Sequence, residues 1–310
     1  GMYNYLGDPY TSYLDKDSTD NLMDRLKGEY KGIGVEITTN ESGTVVMTVF
    51  ENSPAEEAGI MVGDIITKVK GVDVNGKTTS EVSNMIKSTN GNVEIEVNRG
   101  GITKTLTLKV STVSIKSVIK NKYDKTGYLR IETFSNTTYK QFKENLETLE
   151  KDGIENLIVD VRNNGGGFLN SAVEIAELFV EKGKPIYGLQ TKDKKEMYKD
   201  TTKEKRDYKV IVLINGGSAS ASEVLAAALK ESYGATLLGT KSYGKGTVQD
   251  TSELESGGMI KYTTAYWLTP KGVTINEKGL TPDIEVTGSF KDGMTLENDV
   301  ELQTAINNLK

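Results

Sequence analysis

The sequence predicts an α/β core with strand–helix alternation and a small α+β domain inserted ahead of it. Three observations carry this. Beyond residue 126, near-continuous apolar runs alternate with helix-period segments, the pattern of a buried and largely parallel sheet. Between residues 30 and 113, short period-two strands and short helices are separated by turn signals, forming one unit of about eighty residues. The chain's 310 residues, 36% hydrophobic and 26% charged, have room for both.

The elements follow in order. Residues 2–28 read as helical with a turn at Gly7-Asp8-Pro9, since Leu22, Met23 and Leu26 space as one apolar helix face. Ile33–Ile37 and Val45–Val49 read as strands, and Ser53–Ala58 as a short helix with Ser at the N-cap and Pro at the first position. Ile65–Val69 is a strand, Gly71 and Asn75-Gly76 are turns, and Ser80–Lys87 is a helix. Val93–Val97 and Thr105–Leu108 alternate around Gly100-Gly101 as two strands. In the core, the apolar strand Leu157–Val161 precedes a helix over roughly 170–181, and Val210–Ile214 precedes one at 221–232. Residues 192–209 hold eight Lys/Arg and five Asp/Glu, which reads as a solvated loop or exposed hairpin. Asp299–Leu309 reads as an amphipathic helix. The expected segments are thus 1–28, 29–113, 114–295 and a C-terminal helix within 296–310.

A net charge of −6 gives a nucleic-acid partner little electrostatic support. No stretch approaches the about 20 apolar residues of a membrane helix. Gly1-Met2 lacks a signal-peptide pattern, and a Gly ahead of Met reads as a cloning remnant, so an upstream segment is expected. The chain has no histidine and no cysteine. A Ser-His-Asp triad, a Cys-His pair and a His-ligated metal are therefore excluded. A hydroxyl nucleophile would need a lysine or a carboxylate as its base.

Ser220 lies in Ser218-Ala219-Ser220-Ala221-Ser222-Glu223, where a buried strand hands over to a helix. That helix start points free N–H groups at the serine, and the Ala221 N–H is suited to an oxyanion. The plain alternative is an N-cap serine. Lys245, 25 positions after Ser220, sits in Gly244-Lys245-Gly246-Thr247-Val248-Gln249. To act as a base it must be neutral, which burial favours by lowering a pKa that is ordinarily about 10.4. On an extended segment Gln249 shares its face and is suited to hold its amine without adding charge. The plain alternative is a surface lysine in a glycine turn. Gly165-Gly166-Gly167, after Asp160-Val161-Arg162-Asn163-Asn164, is the third element. Its N–H groups fit an oxyanion, a phosphate or merely a tight turn, and Asp160 and Arg162 are positioned to pair internally. Gly239–Gly246 nearly matches a phosphate-binding loop, but the metal-binding hydroxyl position is Gly246 and the next residues read as a strand, so nucleotide hydrolysis ranks well below a Ser-Lys hydrolase.

Taken together, these motifs resemble the C-terminal processing peptidases, or tail-specific proteases, over essentially the whole chain. Leu6–Leu14 resembles the family's N-terminal motif, and Gly28–Val35 the opening of its PDZ-like module, which continues through Ser53–Ile60 and Gly63–Ile66. Leu157–Gly167, Ser218–Glu223 and Gly244–Gln249 resemble the peptidase core, and Gly279–Ile284 its closing signature. The resemblance implies an α/β peptidase core with an inserted α+β PDZ-like domain, acting as a serine endopeptidase without metal or other cofactor. It makes Ser220 the nucleophile, Lys245 the general base and Gln249 its orienting partner. Ala221 and Gly166 or Gly167 become oxyanion donors. Gly32, Ile33, Gly34 and Val35 would receive a substrate's C-terminal carboxylate, and Val82, Met85 and Ile86 would line the side-chain groove. The implied partners are protein or peptide substrates with apolar C-termini. The implied full-length protein is extracytoplasmic, membrane-anchored and dimeric. The other class left open is a peptide-binding scaffold with an inactive or blocked dyad.

Overall fold

The structure, a computed structural model, describes Asp8, residues 10–288, 290–291 and 293–310. The segment expected to be helical over 2–28 is not uniform. Its residues 2–7 and Pro9 lie outside the described ones, so of the expected turn only Asp8 is described. Ser12–Leu14 form a strand, β1, and α1 covers Lys16–Lys27. The Asp15 carboxylate caps α1 by accepting the Ser18 N–H at 2.8 Å. Three residues carry no readable period, so β1 is imposed by pairing with residues 259–261 and was invisible to the helix-face reading.

Residues 29–116 form one compact unit. It runs β2 (Glu29–Gly32), β3 (Val35–Asn40), β4 (Gly43–Val49), α2 (Pro54–Glu57), β5 (Ile65–Val69), β6 (Val72–Asp73), α3 (Thr79–Lys87), β7 (Asn92–Arg99), β8 (Ile102–Lys109) and β9 (Ser111–Ser114). Antiparallel pairing gives the sheet order β3-β4-β5-β7-β8, and β2 pairs with β9. Alternation along β7 sends Val93, Ile95 and Val97 into the core with Val46, Ile66, Val82 and Ile86. Both helices start at side-chain caps: Ser53 accepts from Glu56 N–H, and Thr78 with Glu81 forms a capping box.

The second unit joins the residues up to 28 with 117–310. After residue 117 come β10 (Val118–Tyr123), β11 (Thr126–Ile131), α4 (Thr138–Lys151), β12 (Asn156–Asp160), α5 (Leu169–Glu177), β13 (Pro185–Gln190), β14 (Lys195–Lys199), β15 (Lys209–Ile214), α6 (Ala221–Ala228), β16 (Thr236–Gly239), β17 (Thr247–Glu253), β18 (Met259–Leu268), β19 (Ile284–Glu285) and α7 (Val300–Leu309). The main sheet is ordered β10-β11-β12-β15-β16-β19 and is parallel from β11 onward. One face packs on α4, α5 and α6 through Phe142, Ile175 and Leu225; the other packs on α7 through Leu302, Ala305 and Ile306. A second, antiparallel sheet has β18 at its centre, with β17 on it and β1 and β13 as further partners; the charged run 192–209 supplies β14, the outer strand of a hairpin with β13.

Two helix ends differ from expectation. The helix read as 170–181 stops at Glu177, where Leu178 and Phe179 N–H turn to the carbonyls of Ile175 and Ala176, and Phe179 enters the core edge-on to Phe142. The helix read as 221–232 is α-helical to Ala228 and then widens into a π turn, Leu229–Tyr233, whose Ser232 and Tyr233 hydroxyls bond the carbonyls of Pro185 and Tyr208. Asp160 and Arg162 do pair, and Arg162 reaches Asp299 and Glu301 as well, at 2.6–2.7 Å, fastening α7 to the strand that leads to the glycine loop.

Candidate active site

Ser220 stands between β15 and α6 with φ 55° and ψ −118°. A non-glycine residue in that region stores roughly 1–3 kcal/mol of backbone strain, which persists only where the surroundings impose it. The neighbouring serines explain how. Ser218 and Ser222 are fully buried, and their hydroxyls donate to the carbonyls of Val161 and Asn164, both at 2.8 Å. Only Ser220 of the three remains partly exposed. Ala221, the first residue of α6, carries one of the N–H groups that helix geometry leaves unpaired.

The glycine loop lies against this turn. A Cβ on Gly166 would come within 2.9 Å of Ser220 Cβ and 3.0 Å of Ala221 N, so only glycine permits the approach. Asn164 fastens the two together, since its carbonyl accepts from Ala219 N–H and from Ser222 Oγ. Its Oδ1, however, accepts the Gly166 N–H at 2.8 Å. In this conformation the Gly166 N–H is therefore committed, and of the two expected glycine donors Gly167 is the better placed to be free. Gly167 has φ 138° and bridges Phe134.

Glu223 joins Ser220 to Lys245. Its Oε2 accepts from Ser220 N–H at 2.9 Å and from Lys245 N–H at 3.0 Å, so the two backbone nitrogens lie within two hydrogen-bond lengths. Its Oε1 accepts from Gly244 N–H at 2.7 Å and Ser242 Oγ at 2.6 Å. Burial pushes this carboxyl up from its ordinary value, while the four donors pull the other way. The Lys245 carbonyl is held by the Trp267 indole at 2.7 Å. Flanking glycines admit a neighbouring backbone: a Cβ on Gly244 would meet Gly279 N at 2.7 Å. The signature around Gly279 thus shapes the lysine loop, and Ser242 N–H and Oγ both bond Leu280.

The Lys245 amine is half-buried. Burial lowers its pKa from the ordinary lysine value, the Lys261 charge lowers it further, and Glu223 opposes both. Its Nζ lies over the Tyr10 ring, 5.3 Å from the centroid. The expected partner Gln249 is in β17, beyond a register shift at Val248/Gln249, and its amide donates to Thr247 Oγ1 at 2.7 Å.

In the smaller unit, Gly32, Ile33, Val35 and Ile86 line a narrow groove with Tyr30 and Lys87. Gly34, at φ 88°, packs instead against Ser53. Val82 is fully buried in the unit's core and does not line the groove; one helical position further on, Ser83 takes that place. Met85 packs partly buried against the same core.

Residues 125–286 match the profile of "Peptidase family S41". The chain belongs to that family. Residues 32–110 match the PDZ domain, so the smaller unit is a PDZ domain carried by an S41 chain. "Probable CtpA-like serine proteases" of Staphylococcus aureus (strain N315) and Staphylococcus haemolyticus (strain JCSC1435) are 38% and 37% identical to it over 290 residues, 92% of this chain. The chain spans 58% of the length of these relatives. Among solved structures, the photosystem II D1 C-terminal processing protease matches with a TM-score of 0.56 and 30% identity, over 92% of this chain and 80% of that one.

Two residues of this candidate site escaped sequence reasoning. Glu223 reads as the acid of an N-terminal helix turn, and Asn164 as a turn residue; their partners come from distant segments that no local pattern reveals. Glu223→Gln is expected to leave at least one of the four donors unpaired and to lower stability by about 2 kcal/mol. Turnover should fall at least about tenfold, because the lysine loop loses its anchor. Thermal melts and steady-state kinetics on the same preparation check this. Unchanged values of both would remove the anchoring role.

Proposed function

We propose that the chain is a serine endopeptidase in which Ser220 and Lys245 form the catalytic dyad, and that its PDZ domain receives the C-terminal tail of the protein substrate. The observation that carries this reading is the shared carboxylate. Glu223 holds the backbone of a strained, partly exposed serine and that of a half-buried lysine through one oxygen, and burial favours the lysine's neutral form. Neutral Lys245 would take the proton from Ser220 Oγ as the oxygen attacks the scissile carbonyl. The oxyanion would be met by the Ala221 N–H with Gly167. The resulting ammonium would return its proton to the leaving amine, and Lys245 would then activate the water that hydrolyses the acyl-enzyme. Gln249 would orient the amine after releasing Thr247.

The tail would add to the groove beside β3 as an extended strand, its carboxylate meeting the N–H groups of the Gly32–Val35 loop and its last side chain resting on Ile86. A peptide with an apolar free-acid C-terminus is expected to bind at least about tenfold more tightly than its amidated form, since charge-assisted hydrogen bonds are lost on amidation. Equal affinities, by calorimetry, would remove the carboxylate role. The function itself is tested by incubating the chain with an unfolded protein ending in apolar residues. Cleavage that disappears in Ser220→Ala supports the reading; tight binding without cleavage would make the chain a scaffold. The same reading assigns the full-length protein to an extracytoplasmic compartment, which cell fractionation checks. No described helix is long and apolar enough to cross a membrane.

A further inference from the structure

The motif Asp8-Pro9-Tyr10-Thr11 has no part in the chemistry above, yet one of its side chains reaches the candidate base. The Tyr10 ring centroid is 5.3 Å from Lys245 Nζ, inside the about 6 Å over which a ring face and a cation interact. The ring is held there. The Asp8 carboxylate accepts the Tyr10 N–H at 3.0 Å and the Thr11 hydroxyl at 2.5 Å, closing the turn. The next residues are β1, which ladders onto β18 at Lys261–Met259. β18 also carries β17, the strand that follows Lys245. The turn and the base are thus tied to one sheet, and among the described residues no hydrogen bond to the Lys245 amine competes with the ring.

We propose that Tyr10 is a positioning residue for the base: its ring closes over the Lys245 amine, shields it from water and restricts its rotamer. This deepens the Ser220–Lys245 reading and rests on it. A ring over an amine acts in two opposite directions. Its quadrupole attracts the ammonium, and its bulk keeps water from it. Water exclusion is expected to prevail, since burial already holds Lys245 below the ordinary lysine value and a ring 5.3 Å from its Nζ adds to that burial. The other ionisable groups around the pair are Glu223 on α6 and Lys261 on β18, which act on Lys245, and Tyr243, Glu277 and Asp8, which act on the Tyr10 phenol. All five remain when Tyr10 is changed, so a shift in the profile reports the ring.

Two readouts test this on the intact chain. One is turnover against pH for the original protein, Tyr10→Ala and Tyr10→Phe. The other is labelling of the Lys245 amine by an acylating reagent against pH, in a Ser220→Ala background. Tyr10→Ala is expected to move the acid limb and the labelling midpoint up together by about one unit, a tenfold loss below the limb that alkaline pH restores. Tyr10→Phe should leave the limb in place. If Tyr10→Ala does not fold, as judged by circular dichroism, Tyr10→Val carries the same expectation. An unmoved limb and midpoint in a folded variant would reduce the ring to packing and overturn the proposal. A downward shift would do the same, since the ring would then be a cation clamp. An ordinary lysine midpoint in the protein with Tyr10 intact would instead sink the base assignment, and this proposal with it.

Discussion

Ser220→Ala is expected to abolish hydrolysis, by at least about 10³-fold, with the fold intact. The hydroxyl is not one of the buried hydrogen-bonded serines, so its removal should change stability by no more than about 1 kcal/mol. Backbone strain makes a sharper expectation. At φ 55° and ψ −118°, alanine inherits the serine's conformation, whereas glycine adopts it freely. Ser220→Gly should therefore be as inactive as Ser220→Ala and more stable by about 1 kcal/mol. Ser218→Ala should behave in the opposite way. It removes the donor to the Val161 carbonyl and the acceptor of Asn215 N–H, costing about 1–3 kcal/mol of stability. Activity per folded molecule should persist. Kinetics and thermal melts on the three variants check the pattern; an active Ser220→Gly would remove the nucleophile assignment.

Lys245→Arg should be equally inactive. A guanidinium cannot lose its proton in a protein, so it cannot take one from Ser220. Lys245→Met should also be inactive but no less stable, because it fills the same half-buried site without a charge to desolvate. In the unaltered chain, turnover should rise with pH through a single ionisation below the ordinary lysine value of about 10.4. The sign follows from burial: a lowered pKa leaves more neutral amine, hence more base, at any pH beneath it. A flat profile from about pH 5 to 10 would contradict the lysine mechanism.

Much of this was legible in the sequence because the information is local. Apolar strands such as Val210–Ile214 and the helix after Ser220 declare themselves by composition and period, and the Ser220–Lys245 spacing sits in an ordered set of motifs. What was not legible depends on contacts between distant segments. β1 is too short to show a period and exists through β18. Glu223 gathers donors from Ser220, Ser242, Gly244 and Lys245, and the role of an acid with four partners cannot be seen from one helix turn. Val82 and Ser83 differ by a single helical step of about 100°, which decides core against groove and which spacing alone cannot phase. The conflict at Gly166 has a similar origin. Its glycine type was demanded by Ser220 packing close by, while its N–H had already been taken by Asn164.

The central claim is that Ser220 is a nucleophile made reactive by Lys245. The most direct test is to treat the intact chain with a serine-phosphonylating probe across pH and to map the adduct by peptide mass spectrometry. The account predicts one adduct, on Ser220, formed at a rate that rises with pH through an ionisation below about 10.4 and absent from Lys245→Arg. An adduct on Ser218 or Ser222, or one that forms equally well in Lys245→Arg, would contradict it.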